Sequence, residues 1–165
     1  MVTVYNIRKA SPADIPLIRE LTFQVWPQTY AHLLSQAQLD YMLDMMYSPA
    51  SLEKQMNDGA QFIIVHEDES PVGFASYQEM RPAIFKLHKL YILTNQQGKG
   101  TGKLTINHIL NEIKPKGAIA LQLQVNRNNN AQHFYKKLGF EIIEEADFDI
   151  GNGYQMNDYI MEKKI

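Results

Sequence analysis

The chain has no cysteine, which removes disulfides, thiol nucleophiles and cysteine-ligated zinc from consideration; no metal is called for. It also lacks an excess of either charge: 16 lysines and arginines stand against 18 acids, for a net charge of −2. A protein that grips nucleic acid by its phosphates carries a clustered basic surplus, so that partner class is not expected. Nowhere is there an apolar run approaching the roughly 18 residues of a membrane helix. The opening MVTVYNIRKASPAD has no apolar core of the kind a signal peptide or anchor needs. These absences predict a cytoplasmic protein whose partners are neither membranes nor nucleic acids. Internal repeats are missing too. What is present is 165 residues, 45% hydrophobic, enough for one domain over 1–165 with a sizeable core.

The most informative stretch is KLHKLYILTNQQGKGTGKLTIN, Lys86 to Asn107. Leu87 to Leu93 is apolar or aromatic apart from His88 and Lys89, and Thr94-Asn95 closes it, which predicts a buried strand. Its apolar positions Leu87, Leu90 and Ile92 are spaced three and then two, so the alternation of a strand breaks once. A bulge between Leu87 and Leu90 accounts for the break. Gly98, Gly100 and Gly102 follow, removing the Cβ atoms that would hold a ligand away from the backbone. Beyond them Leu104, Ile106, Ile109, Leu110 and Ile113 recur at helical spacing and predict a helix over 101–114. The N–H groups of this loop and first helical turn lack intrahelical partners and sit at the positive end of a helix dipole. Together they predict a phosphate cradle.

Two familiar phosphate motifs do not fit it. The gap from Gly98 to Gly102-Lys103 is one residue short for a P-loop, and Leu104 stands where the magnesium-binding Ser or Thr belongs. A dinucleotide fingerprint requires an acid about 20 residues further on. LQLQV occupies that region and supplies none.

In chain order, Val2, Val4 and Ile7 predict a first strand ending near Lys9. Ser11-Pro12-Ala13-Asp14 then starts a helix, carried by Ile15, Ile18, Leu21, Phe23 and Val25 and expected to end at Trp26-Pro27. A second helix is predicted over Gln36–Tyr47, and a short third one after Ser48-Pro49, stopped by Asp58-Gly59. Gln61–His66 and Val72–Met80 read as a hairpin. After the 101–114 helix come a strand over Ala118–Val125 and a helix from about Asn129 to Leu138, ended by Gly139. Phe140–Ile143 and Tyr154–Glu162 complete the strands, with Gly151-Asn152-Gly153 as their turn.

The second constellation is LQLQVNRNNNAQHFYKKLGF, ending at Phe140: a strand, Asn128, Ala131, Phe134-Tyr135, three residues, then Gly139-Phe140. Asn128 offers hydrogen bonds to an amide-bearing ligand while capping the helix. Ala131 leaves room for a ligand chain, Phe134 and Phe140 suit a core, and Tyr135 presents a phenol able to donate a proton or a hydrogen bond to a departing thiolate. Gln97-x-x-Gly100-x-Gly102 and this segment, in this order, resemble the pyrophosphate loop and closing segment of the GNAT superfamily of N-acetyltransferases. The two segments span about a third of the chain.

The resemblance implies a three-layer α/β (α+β) fold, with a mixed, mostly antiparallel sheet, a splayed and bulged central strand, and helices on both faces. It implies acetyl-CoA as cosubstrate, with Leu90, Tyr91 and Ile92 pairing with pantetheine. Gln97, Gly98, Lys99, Gly100, Thr101, Gly102 and Lys103 would meet the pyrophosphate, and Asn128 and Tyr135 the thioester end. The chemistry is direct attack by a primary amine. An alkylammonium has a pKa near about 10, so some group must take its proton. Glu79, near the end of the strand before the bulge, is the first candidate for that base, and His88 the second. A backbone N–H at Leu90 or Ile92 is suited to the developing oxyanion.

The first half sets the acceptor. Trp26 to Tyr30 and Leu39 to Pro49 are similar to the helical lid of a GNAT branch that includes bacterial spermidine/spermine acetyltransferases. Asp40 and Asp44 share a helix face, and Trp26, Tyr30, Tyr41 and Tyr47 supply aromatic surface, a combination suited to a polyamine. Other small amines, peptide N-termini and amino sugars are alternatives, as is an acyl-CoA-binding regulator with little turnover. GNAT proteins often pair through their late strands, which allows a homodimer.

Overall fold

A computed structural model describes residues 2–96 and 98–165; the predicted ligand Gln97 lies outside the described residues. The described strands are β1 Tyr5–Lys9, β2 Gln61–Glu67, β3 Ser70–Arg81, β4 Ile84–Ile92, β5 Ala120–Asn126, β6 Glu141–Gly151 and β7 Tyr154–Lys164. They form one sheet in the order β1-β2-β3-β4-β5-β7-β6. The β4–β5 pair is parallel, and its neighbours are antiparallel. The helices are α1 Ile15–Tyr30, α2 Gln36–Tyr47, α3 Pro49–Asn57, α4 Thr101–Ile113 and α5 Ala131–Lys137.

Alternation along the strands builds two cores, one on each face of the sheet. Ile63, Phe85, Leu87, Leu121, Leu123 and Met161 meet the apolar face of α4 and Tyr135 of α5. On the other face Phe62, Ile64 and Phe74 meet Ile18, Trp26, Leu39, Met42 and Leu52 of α1, α2 and α3. The result is the expected three-layer mixed sheet. Among the described residues no helix is long and apolar enough to cross a membrane.

Local expectations differ in three places. Helix α1 does not stop at Trp26-Pro27 but runs to Tyr30. Pro27 lies in its last turn, where Pro27 O still accepts Ala31 N at 3.1 Å, and buried Trp26 anchors the segment. Phe23 faces outward beneath the guanidinium of Arg19, whose carbon lies 5.2 Å from the ring centre. Strand β6 extends well beyond Ile143, since its antiparallel partner β7 continues to pair with it as far as Gly151.

Two irregularities position the site. Tyr77 of β3 faces Leu87 while its neighbour Ser76 faces Lys89, so His88 is the extra residue of a bulge in β4. This is the predicted break. On its other side β4 pairs with β5 only over Ile84–Leu87. Past Leu87 the two strands separate, while β5 continues along β7 as far as Asn126. Strand edges left unpaired in this way can accept the backbone of another chain or a peptide-like ligand.

Candidate active site

A cleft of about 580 Å³ occupies the fork between β4 and β5. Leu87 to Ile92 form one wall and Leu123 to Asn126 the other, with Trp26, Tyr30 and Tyr47 closing it from the helical side. The predicted ligands Leu90, Tyr91, Ile92, Asn128 and Tyr135 all line it. Thr94 lines it as well, and the glycine loop follows in the chain, but none of Gly98, Lys99, Gly100, Thr101, Gly102 and Lys103 lines the cleft.

The loop is built by side chains behind it. Gln96 is buried, and its Oε1 accepts hydrogen bonds from Thr101 Oγ1 at 3.2 Å and Tyr5 Oη at 3.4 Å. Thr101, expected to touch the ligand, is itself buried and acts as a brace. The ammonium of Lys99 is held by Glu67 at 3.4 Å, whereas Lys103 is exposed. Gly98 and Gly100 have φ of +80° and +78°, and a Cβ on either would meet nothing within 4 Å. Their backbone is open to a ligand. At Gly102 the reason for glycine is different, because a Cβ there would stand 2.9 Å from the ring of Phe134. Gly100 caps α4 and its oxygen accepts Leu104 N at 3.0 Å, leaving the N–H groups of Thr101, Gly102 and Lys103 without intrahelical partners. Leu104 itself is exposed.

Tyr135 sits deep in the cleft, its ring edge-on to Phe134 and Phe140. Burial, with the nearby Tyr30 phenol adding to it, raises its pKa far above the usual tyrosine range. The hydroxyl therefore keeps its proton at neutral pH and has a hydrogen to donate. Asn128 lines the cleft, but the helix-start hydrogen bond expected of it is made by Asn129, whose Oδ1 accepts Ala131 N at 2.9 Å. On the opposite side Trp26 packs edge-on against Tyr30 and Tyr47, and Tyr30 Oη lies 3.1 Å from Tyr91 Oη.

Other expected site residues fall elsewhere. Glu79 does not line the cleft. It pairs with Phe85, where β4 and β5 are still zipped together, and its Oε2 accepts Ala83 N at 3.2 Å to close the β3–β4 turn. Asp40 and Asp44 are exposed on the outer side of α2, with Asp40 accepting a hydrogen bond from Gln36 at 2.9 Å. The inward face of that helix is taken by Leu39 and Met42. Tyr41 turns away to donate to Ile150 O at 2.6 Å.

Four basic side chains do line the cleft, His32 just past α1 and Lys86, His88 and Lys89 of β4. His88 is drawn down to about 4 by burial and by Lys86 and Lys89, and its Nε2 lies 3.1 Å from Gln78 Oε1. Lys89 is lowered to about 8, chiefly by burial and then by Lys86, and its ammonium stands 4.6 Å from the centre of the Tyr47 ring. Lys86 is lowered by burial too. The cleft's carboxylate is Asp158 of β7, a residue that the sequence pattern did not single out.

A family model described as an acetyltransferase (GNAT) domain matches residues 31–163. The chain belongs to the GNAT acetyltransferase family. It is similar to a spermidine N(1)-acetyltransferase of Thermoplasma acidophilum, 28% identical over 96% of each chain. It is also 31% identical, over 53% of its length and 61% of the relative's, to the ribosomal protein bS18-alanine N-acetyltransferase of Haemophilus influenzae. Among solved structures, the PaiA N-acetyltransferase of Thermoplasma acidophilum in complex with coenzyme A superposes with a TM-score of 0.82 at 26% identity, covering 98% of this chain and 99% of that one. As a GNAT protein with these relatives, the chain is an N-acetyltransferase.

Proposed function

We propose that this GNAT enzyme transfers the acetyl group of acetyl-CoA to the primary amine of a small molecule. The observation that carries this reading is the cleft itself, where the unpaired edges of β4 and β5 and the Tyr135 side chain meet, with the open backbone of the glycine loop following in the chain after Thr94 of its lining. Gly98, Gly100 and the first turn of α4 would hold the pyrophosphate, Leu90 to Ile92 the pantetheine amides, and Asn128 and Tyr135 the thioester end. Attack by a neutral amine forms the C–N bond and breaks the C–S bond. A free N–H of β4 beside the bulge is suited to the oxyanion, and Tyr135 donates a hydrogen bond to the departing thiolate.

A polyamine acceptor is favoured by the spermidine-acetylating relative, and a protein N-terminus by the ribosomal-protein-acetylating one. The charges in the cleft favour a compact monoamine over a polycation. Lys86 and Lys89 line it, and Asp40 and Asp44 face away. Pairing of two copies through the late strands is supported by β6, which ends the sheet and exposes Ile142 and Ile143.

The test is thiol release from acetyl-CoA across spermidine, spermine, tyramine, an N-terminal peptide and glucosamine, comparing the wild type with Tyr135→Phe. Amine-dependent release that falls about a hundredfold in the variant is expected. Acetyl-CoA binding without amine-dependent release would support a regulator instead.

A further inference from the structure

We propose that Asp158 is the residue that receives the acceptor's amine and takes its proton, an inference that rests on the acetyl-transfer reading above. Strand β7 places it opposite Asn126 of β5, on the sheet face that carries Met156 into the core beneath α1 and α2. It lines the cleft together with Tyr30 and Tyr135. Only 2% of its surface is exposed, and no described residue makes a hydrogen bond or ion pair with its carboxylate, whose Oδ2 is fully enclosed. Buried polar groups in folded proteins are nearly always satisfied, so an orphaned carboxylate facing a binding cleft points to a partner brought by the substrate.

The surrounding charges are consistent with this. From β4 the titratable groups that line the cleft with Asp158 are Lys86, His88, Lys89 and Tyr91, of which Lys86 acts on it electrostatically. From the helices they are Tyr30, Tyr47 and Tyr135, with His32 just past α1. Arg127, after β5, is held by Glu145 at 3.2 Å and by Asp147 of β6. Burial raises Asp158 to about 6, with Lys86 and Arg127 pulling the other way. At neutral pH it is thus ionised, yet more basic than His88 at about 4. Lys89 at about 8 is mostly protonated and holds no free lone pair. Among these groups Asp158 combines the needed charge, an open valence and a place in the cleft.

The step balances without a further reactant. As the amine nitrogen bonds to the acetyl carbon, its proton passes to the Asp158 carboxylate. The C–S bond breaks, the thiolate leaves toward Tyr135, and Asp158 returns the proton to solvent. An amine arriving as its ammonium would first pair with the carboxylate and lose one proton through it to solvent, so that Asp158 is again ionised when the neutral amine attacks.

The test uses the full chain with the amine panel above, following kcat/KM from pH 5 to 9 for the wild type, Asp158→Asn and Asp158→Glu, alongside the rise in Tm caused by acetyl-CoA. The wild type should lose activity as pH falls through about 6. Asp158→Asn should lose that limb and about a hundredfold in kcat/KM near neutral pH, keeping its response to acetyl-CoA, and Asp158→Glu should recover part of the rate. Asp158→Asn with wild-type kcat/KM and an unchanged acid limb would overturn the inference, as would loss of the acetyl-CoA response, which marks a structural role. A wild type that releases no thiol with any amine overturns the acetyl-transfer reading, and this one with it.

Discussion

A carboxylate without a partner is a liability to folding, and Asp158 makes that liability measurable. Its folded pKa of about 6 lies above its ordinary value of 3.8. The favourable contribution of its protonated form is complete below the ordinary value and is lost as pH rises through about 6. Asparagine cannot ionise, so Asp158→Asn is expected to be more stable than the wild type above pH 6 by about 2–3 kcal/mol, from roughly two pKa units at 1.36 kcal/mol each. The gain should vanish near pH 4. Urea unfolding at pH 7.5 and pH 4 checks this, and a variant destabilised at both would refute it. The residue that matters most here was not legible in the sequence. In Tyr154–Glu162 the alternation identifies a strand, but which position opens on the cleft depends on the register of β7 against β5, a contact between distant segments. Asp40 and Asp44 show the converse: their shared helix face was legible, and its outward direction was decided by Leu39 and Met42 packing under α1.

Elements whose chemistry is local were read well. The broken alternation of Leu87, Leu90 and Ile92 located the bulge, and the alternate glycines located the loop, because both signals come from a few neighbouring residues. What they did not reveal was how those glycines divide their tasks. Gly98 and Gly100 supply positive φ and an open backbone, whereas Gly102 admits the ring of Phe134 from α5. Alanine at Gly100 is therefore expected to raise the KM for acetyl-CoA about tenfold, since it adds left-handed strain of roughly 1–2 kcal/mol where the backbone should stay exposed to phosphate. Alanine at Gly102 is expected to act mainly on stability, costing about 1–3 kcal/mol by overpacking against Phe134. Pairing Gly102→Ala with Phe134→Leu should recover part of that loss in a double-mutant cycle, whereas the same pairing with Gly100→Ala should be additive. Equal KM effects from both glycine variants would contradict this division.

Across the whole molecule, the sheet is two half-sheets joined at a short seam. Strands β1 to β4 form one half and β5, β7 and β6 the other, and the seam consists of Ile84–Leu87 against Ala120–Leu123. A ligand whose amides pair with the open edge of β4 would lengthen that seam and tie the halves together. Acetyl-CoA at a hundredfold excess over its Kd is therefore expected to stabilise the fold by about 2.7 kcal/mol. Hydrogen exchange shows where that stabilisation falls. Amides of His88–Ile92 and Gln124–Asn126 should slow on binding along with those of the glycine loop, while Arg8-Lys9 and Ile63-Ile64, at the end of the β1–β2 pair away from the Tyr5 and Glu67 contacts to that loop, should exchange as before. Slowing confined to the glycine loop would mean that the nucleotide end binds without the pantetheine entering the fork. In that case the forked sheet would not be the acetyl-transfer site, and the roles given to Tyr135 and Asp158 would fall with it.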